Sequence, residues 1–184
     1  SREEVIENIG TIARSGTRRF LDSLSGEQSA DAHLIGQFGV GFYSSYMIAD
    51  EVEVITKKAD EQQAYKWKSD GKSGYKIEET ERETFGTDII LHINEEGNKY
   101  VNRWEIQNIV KKYSNHIPFP IYLHWEEVPS DEDNKKKKNK QKTEQINAGS
   151  AFWKKPKGSL KKKEYHQFYQ SIAVDYEDPI HYIH

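Results

Sequence analysis

Between residues 51 and 93 the sequence returns repeatedly to short segments suited to a sheet. In Glu51 to Lys57, EVEVITK, apolar and polar residues alternate and place Val52 and Val54 on one face, as a half-buried strand requires. Tyr65 to Ser69 and Tyr75 to Glu79 flank SDGKSG, where Asp70-Gly71 at the tip predicts a hairpin. Thr87 to Ile93, TDIILHI, is a fourth strand. Strands this close in sequence, joined by short turns, point to a largely antiparallel sheet.

Helical patterns surround the strands. Arg2 to Ile9 predicts a short helix stopped at Gly10, and GTIARSG (Gly10 to Gly16) reads as a mobile loop of small and hydroxyl residues. Thr17 is placed to cap a helix through Leu24, with Phe20, Leu21 and Leu24 at helical spacing. A polar connection, residues 25–33, leads to Gly36-x-x-Gly39-x-Gly41 and an apolar helix over Val40 to Ala49. Tyr100 to His116 is the longest helical pattern, ended by Pro118 and Pro120, and Phe119 to Trp125 predicts a last strand. The fold class expected is α+β, a two-layer α/β sandwich. Further on, Lys162 to Ile172 predicts an amphipathic helix with Tyr165, Phe168, Tyr169 and Ile172 on one face, broken by Asp178-Pro179. The segment running on to His184 is too short for a domain of its own and reads as the start of one.

Charged residues make up 31% of the 184, a level that suggests disorder if spread evenly. Seven Phe, eleven Tyr and four Trp argue for a core, so the charge must be concentrated. It is concentrated in residues 128–146, VPSDEDNKKKKNKQKTEQI, which reads as a solvated linker between residues 1–127 and 147–184. The functional alternative is a basic patch for nucleic acid or anionic lipid, against which stand the neighbouring acids and the lack of interleaved aromatics. Zero cysteine excludes a disulfide framework, a thiol nucleophile and cysteine-ligated metals. No apolar run is long enough to span a bilayer, and SREEVIENIG has no signal-peptide pattern.

The strongest local candidate for chemistry is the glycine set. Glycines opening a helix let backbone N–H groups approach an anion, although the same spacing also serves a tight turn and close packing. The set is neither a Walker loop nor a dinucleotide fingerprint. A second small-residue loop, Thr11 to Thr17 with Arg14 inside, lies nearby and favours phosphate binding. The seven histidines show no metal-ligand spacing, Ser44-Ser45 lacks the nucleophile elbow, and Glu3-Glu4 and Glu78-Glu79 read as solvated. The four tryptophans read as core or interface anchors. From the residues alone the chain is an anion- or nucleotide-binding α+β protein with no convincing catalytic acid or base.

ENIGTIARSGT (Glu7–Thr17), LIGQFGVGFYS (Leu34–Ser44) followed by ADEVEV, and FGTDIILHI (Phe85–Ile93) together resemble the ATP-binding domain of the heat-shock protein 90 chaperones. KKYSNHIPFPIYL (Lys111–Leu123) and EYHQFYQSI (Glu164–Ile172) followed by DP extend the resemblance over nearly the whole chain, closer to the bacterial and organellar branch. The resemblance implies the α/β sandwich shared with DNA gyrase B, MutL and histidine kinases, with ATP or ADP and Mg2+ held under a mobile lid. It implies that Asn8 lines the nucleotide pocket and that residues 10–36 form the lid with its hinges. The same comparison puts Gly10, Arg14, Ser15 and Gly16 at the nucleotide, with Arg14, a lysine in many members, contacting phosphate. Gln37, Phe38, Gly39, Val40, Gly41 and Phe42 then cradle the triphosphate through backbone amides, and Thr87 lies near adenine.

The family's catalytic glutamate, its metal-binding asparagine and the aspartate of its D-x-G-x-G-M motif have no counterpart in this sequence, which is expected to begin just after that motif. Residues 1–127 then correspond to the later part of the N-terminal domain, 128–146 to a charged linker and 147–184 to the beginning of a middle domain. The parent implied is a cytoplasmic, homodimeric chaperone and ATPase acting on client proteins, possibly with cochaperones, and binding neither nucleic acid nor membrane. The chain by itself is expected to be inactive. Two other readings stay open: a non-enzymatic binding module using the lysine-rich stretch, and another ATPase of the same superfold.

Overall fold

A computed structural model gives the fold and describes residues 1–11, 14, 16–17, 35–36, 38–127, 140–173 and 176–184. The chain forms two compact units, residues 1–101 and 102–184. The division thus falls near the start of the expected Tyr100 to His116 helical pattern and not within the lysine-rich stretch.

All four expected strands of the first unit form, each end within two residues of its predicted place: β1 (Ala49–Lys57), β2 (Ala64–Ser69), β3 (Tyr75–Thr80) and β4 (Gly86–Ile93). They make one antiparallel sheet in the order β3-β2-β1-β4. In this register Val52 faces Leu91 on β4, and Val54 faces Trp67 on β2 and Ile89 on β4. Side chains alternate between faces along a strand, so these residues share one side of the sheet. Val52 is fully buried there and Trp67 is 2% exposed. Helix α1 (Arg2–Ile9) covers that side with Val5 and Ile9, joined by Phe42 and Tyr46. A capping box between Ser1 and Glu4 starts α1, and at Gly10, which ends it, an added Cβ would lie 2.5 Å from the Ile6 carbonyl oxygen.

The other face of the sheet is ionic. Lys66 lies 2.8 Å from Glu53, while Lys68 lies 2.6 Å from Glu51 and 3.3 Å from Glu53. The hydrogen bond from Lys66, helped by Lys68, holds the Glu53 carboxyl down at about 2.

The helix expected over Val40 to Ala49 is corrected. Gly41–Met47 forms a 3-10 helix, and Ala49 already belongs to β1. The Ser44 and Ser45 hydroxyls donate to the carbonyls of Gly41 and Phe42, each at 2.6 Å, which favours the tight three-residue spacing. The helix expected from Thr17 to Leu24 and the polar connection at 25–33 fall almost wholly outside the described residues.

In the second unit, α2 (Arg103–Tyr113) begins later than expected, because Glu96–Tyr100 forms a separate 3-10 turn in the first unit. The Asn102 side chain caps α2 by accepting the Trp104 amide at 2.8 Å. Strand β5 (Tyr122–Glu127) pairs antiparallel with β6 (Lys140–Gln145), from Tyr122 opposite Gln145 to Glu127 opposite Lys140. The linker reading is therefore corrected for residues 140–146: six of them are a strand, and Ile146 is buried. Residues 128–139 lie outside the described set.

Asn147, 8% exposed, anchors the hairpin base: its Oδ1 accepts the Ile121 amide at 2.9 Å and its Nδ2 donates to the Phe119 carbonyl at 2.9 Å. Helix α3 (Lys162–Ala173) is one residue longer than α2, at twelve against eleven. It stacks Phe168 on Phe152 at 4.6 Å and sets Tyr165 edge-on to Phe152 at 5.5 Å, while Ile172, expected on the packed face, is exposed. Of the four tryptophans, Trp67 lies in the core, while Trp104 and Trp153 are exposed, which leaves for them only the interface half of that reading. The Arg103 guanidinium lies 4.2 Å from the Trp104 ring centre and 4.7 Å from that of Trp125. The architecture is a mixed α+β one with antiparallel sheets. Among the described residues no helix is long and apolar enough to cross a membrane.

A depressed folded-state pKa means that the Glu53 ion pairs stabilise above the ordinary carboxylate range and are lost as pH falls. The gap in melting temperature between wild type and Glu53→Gln should therefore be full above pH 4.5 and close progressively toward pH 2. Asn147→Ala leaves a buried amide and carbonyls without partners, at a cost of about 1–3 kcal/mol. Hydrogen exchange at the Ile121 amide should quicken by about tenfold or more, while β1 exchange stays unchanged.

Candidate functional site

Where α1 crosses the ends of β1 and β4, the first unit opens a cleft of about 530 Å³, its walls including Asn8, Ile9, Val54, Thr56, Phe85 and Thr87. Ile9 and Val54 make an apolar wall, continuous with the core. Asn8 sits in the last turn of α1, and its Oδ1 is buried with no hydrogen-bond partner among the described residues. A buried acceptor left unsatisfied is costly, so a ligand or water is called for there. Thr87 stands directly opposite Thr56 in the β1–β4 register, with 2.8 Å between the hydroxyl oxygens. Thr56 also donates to the Gly86 carbonyl at 3.3 Å.

The two glycine-bearing loops meet beside this cleft. Gly39 has φ +64, and an added Cβ would lie 2.5 Å from the Arg14 carbonyl oxygen. Only glycine tolerates both the left-handed backbone and that approach. The Gly39 amide donates to the Gly36 carbonyl at 3.2 Å, closing a turn, so it is already engaged. Gly16 lies over Asn8: a Cβ there would come within 3.0 Å of the Asn8 Oδ1. The Arg14 guanidinium rests 3.9 Å from Glu7 on α1.

The predicted site residues thus fall into groups. Asn8 and Thr87 share the cleft; Arg14, Gly16 and Gly39 form the loop contact beside it; Gly10 ends α1. Phe38, 83% exposed, and Val40 point to solvent, and Gly41 starts the 3-10 helix in open space. The Phe42 side chain belongs to the core, edge-on to Trp67 at 5.7 Å. Ser15 and Gln37 lie outside the described residues. Tyr43 escaped the sequence reading. Its hydroxyl donates to the Ile9 carbonyl at 3.2 Å, tying the glycine segment to α1, and burial pushes its pKa up. A tyrosine two residues after the last glycine was the available signal.

Acid–base chemistry has little to work with here. Glu4, at the mouth of the cleft, is held at about 2 by hydrogen bonds from Lys58 and then the terminal amine, and is no proton acceptor near neutrality. On the far face of the sheet, Glu51, Glu53 and His92 bring three potential metal-ligand atoms within 4.8 Å of one another. Lys66 and Lys68 already neutralise those carboxylates, so the cluster is an ion-pair network. The cleft is suited to binding a flat ligand with a polar edge.

Gly39→Ala should push the glycine segment away from Arg14 and loosen both loops. Strain of about 1–3 kcal/mol predicts roughly tenfold faster tryptic cleavage after Arg14, with Gly41→Ala as the unaffected control.

A family model described as Hsp90 protein matches residues 124–184. The chaperone protein HtpG of Treponema denticola is 47% identical over 195 aligned residues, and that of Helicobacter pylori strain J99 is 50% identical over 185. HtpG of Borreliella afzelii is 47% identical over 184. Each alignment takes in 100% of this chain and 30% of the relative, so the chain spans about 30% of the length of these proteins. Such identity over the whole of this chain shows that it belongs to the Hsp90 protein family, on its bacterial HtpG-like side.

Proposed function

We propose that the cleft is part of an adenine-nucleotide site and that this chain is the nucleotide-responsive portion of an ATP-dependent chaperone. The observation that carries the reading is the buried, unpartnered Oδ1 of Asn8 sharing a cleft with the Thr87 hydroxyl. The two meet an apolar wall, an arrangement suited to an aromatic base with polar atoms on its edge. The Gly39–Arg14 contact supports the same reading, because it brings a cation-bearing loop and a glycine turn together.

In this proposal residues 1–127 are the later part of a sandwich domain of the gyrase B and histidine kinase type, with residues 10–36 as its lid. Because β5 and β6 pair within one unit, residues 128–139 join two strands of one hairpin, and the step to the middle domain falls after Gln145. Residues 147–184 open the middle domain. Thr87 lies near the base and Asn8 near the sugar and phosphates, Arg14 faces phosphate, and the segment from Gln37 to Phe42 lies along the phosphate chain. ATP, with Mg2+, supplies a phosphoanhydride whose hydrolysis resets the lid. The chain's own groups bind and position, and none serves as the base for hydrolysis. In the whole protein this cycle drives dimer closure on cytoplasmic clients, without nucleic acid or membrane as partner.

Adding ADP at millimolar concentration to the isotopically labelled chain should shift the amide resonances of Asn8 and Thr87. Asn8→Ala should weaken the effect by about tenfold, the scale of one buried hydrogen bond. No shift in either residue would overturn the site. Sustained ATP turnover by the chain alone, lost in Gly39→Asp, would overturn the purely binding role.

A further inference from the structure

We infer that Tyr46, seated on Gly71 at the tip of the β2–β3 hairpin, is a positioning residue that holds the glycine segment where it receives phosphate. The inference rests on the cleft being a nucleotide site and adds to it a control point on a different element.

The tip of the hairpin is fixed by its own side chains. The Asp70 Oδ1 accepts the Lys72 amide at 2.9 Å and the Ser73 amide at 2.8 Å, and the Ser73 hydroxyl donates to Oδ2 at 2.6 Å. The Ser69 hydroxyl accepts the Gly71 amide at 3.0 Å and donates to the Gly74 carbonyl. Hairpin tips ordinarily tolerate change because little touches them. Here Gly71, at φ +71, lies so close to the Tyr46 ring that an added Cβ would stand 2.9 Å from its Cδ1. At Gly74, φ +104 in the same turn, an added Cβ meets nothing within 4 Å. The ring makes this contact, since the Tyr46 hydroxyl reaches the Ser69 carbonyl only at 3.5 Å.

Tyr46 lies in the 3-10 helix Gly41–Met47, which continues directly from the glycine segment. The chain between Tyr46 and Gly36 is tied at each step. The Ser45 and Ser44 hydroxyls donate to the Phe42 and Gly41 carbonyls, the Tyr43 amide to the Val40 carbonyl, and the Gly39 amide to the Gly36 carbonyl. Such a hydrogen-bonded run passes a displacement along itself. The hairpin meets it a second time through Trp67, edge-on to Phe42 at 5.7 Å. Backbone N–H groups in turns receive an anion only when they are aimed together. A shift at Tyr46 therefore weakens phosphate binding and leaves the apolar wall of the cleft, made by Ile9 and Val54, in place.

The test titrates the full chain with ADP and with adenosine, which lacks the diphosphate, and follows amide shifts. Wild type should bind ADP the more tightly. Gly71→Ala should weaken ADP by about fivefold, the scale of one hydrogen bond, and leave adenosine within about twofold. Gly74→Ala strains the same turn without touching Tyr46 and should leave both ligands unchanged. Tyr46→Leu removes the ring without altering the hairpin and should reproduce the ADP loss, whereas Tyr46→Phe keeps the ring and should bind as wild type does. In the Tyr46→Leu background, Gly71→Ala should add less than about a further twofold, because both act through one contact. Unchanged ADP binding in Gly71→Ala or Tyr46→Leu, an equal loss in Gly74→Ala, or a parallel loss of adenosine overturns the inference and leaves the nucleotide site standing. So does equal binding of the two ligands by wild type. If Gly71→Ala does not fold, Tyr46→Leu set against Tyr46→Phe decides the matter. Binding of neither ligand by wild type overturns the nucleotide reading and the inference together.

Discussion

The first unit depends on how one strand, β1, separates its two sides. Its Val52 and Val54 bury against Trp67 and Leu91, and α1 closes over them through Val5 and Ile9. Its Glu51 and Glu53 face outward into Lys66, Lys68 and His92. A slip of one residue would place valines among ammonium groups and carboxylates under a helix, so the register is held from both sides at once. The cleft inherits its geometry from this arrangement. Thr56 lies two residues beyond Val54 on the same face, and the pairing with β4 delivers Thr87 beside it.

That dependence explains which parts of the fold were legible in the residues. The period of two in EVEVITK and TDIILHI reports burial directly, because each strand has one covered face and one ionic or exposed face. β6, KQKTEQ, carries no such report: all six residues are exposed, and it joins β5 through the backbone and surface polar contacts, Thr143 with His124 at 2.8 Å and Lys142 with Glu127 at 3.3 Å. Composition alone makes such a strand look like a linker. The segment after Gly41 misleads in the opposite way. FYSSYM has the apolar content of an α-helix, but two serines bonding back three residues tighten it into a 3-10 turn. Phe42 and Tyr46 still reach the core from it.

The site was legible in a different sense. Nothing in spacing links Asn8 to Thr87, since one ends a helix and the other lies on the outermost strand of the described sheet. They meet because α1 packs on the face to which β4 contributes. The family resemblance supplied both residues; local pattern supplied neither. The glycine spacing did point to close approach, and Gly39 bears that out against the Arg14 backbone. It did not anticipate that the Gly39 amide closes its own turn onto Gly36. Tyr43 shows the remaining gap, because its role comes from a long-range bond to the Ile9 carbonyl that no local signal encodes.

The polar groups at the cleft also bear on the division of labour within the molecule. A group that moves a proton near neutrality needs a pKa near neutrality, which takes burial or a like-charged neighbour. Glu4 has the reverse environment, an ammonium partner on Lys58 at 2.8 Å, and stays ionised far below the working range. Thr56 and Thr87 pair through their hydroxyls at 2.8 Å, and Asn8 has no proton to exchange. Asn8, in the last turn of α1, lies against Gly16, whose added Cβ would come within 3.0 Å of the Asn8 Oδ1. The same helix holds Tyr43 through the Ile9 carbonyl, and through Tyr43 the segment that carries Gly39. One short helix thereby joins the cleft residue Asn8 to both glycine loops.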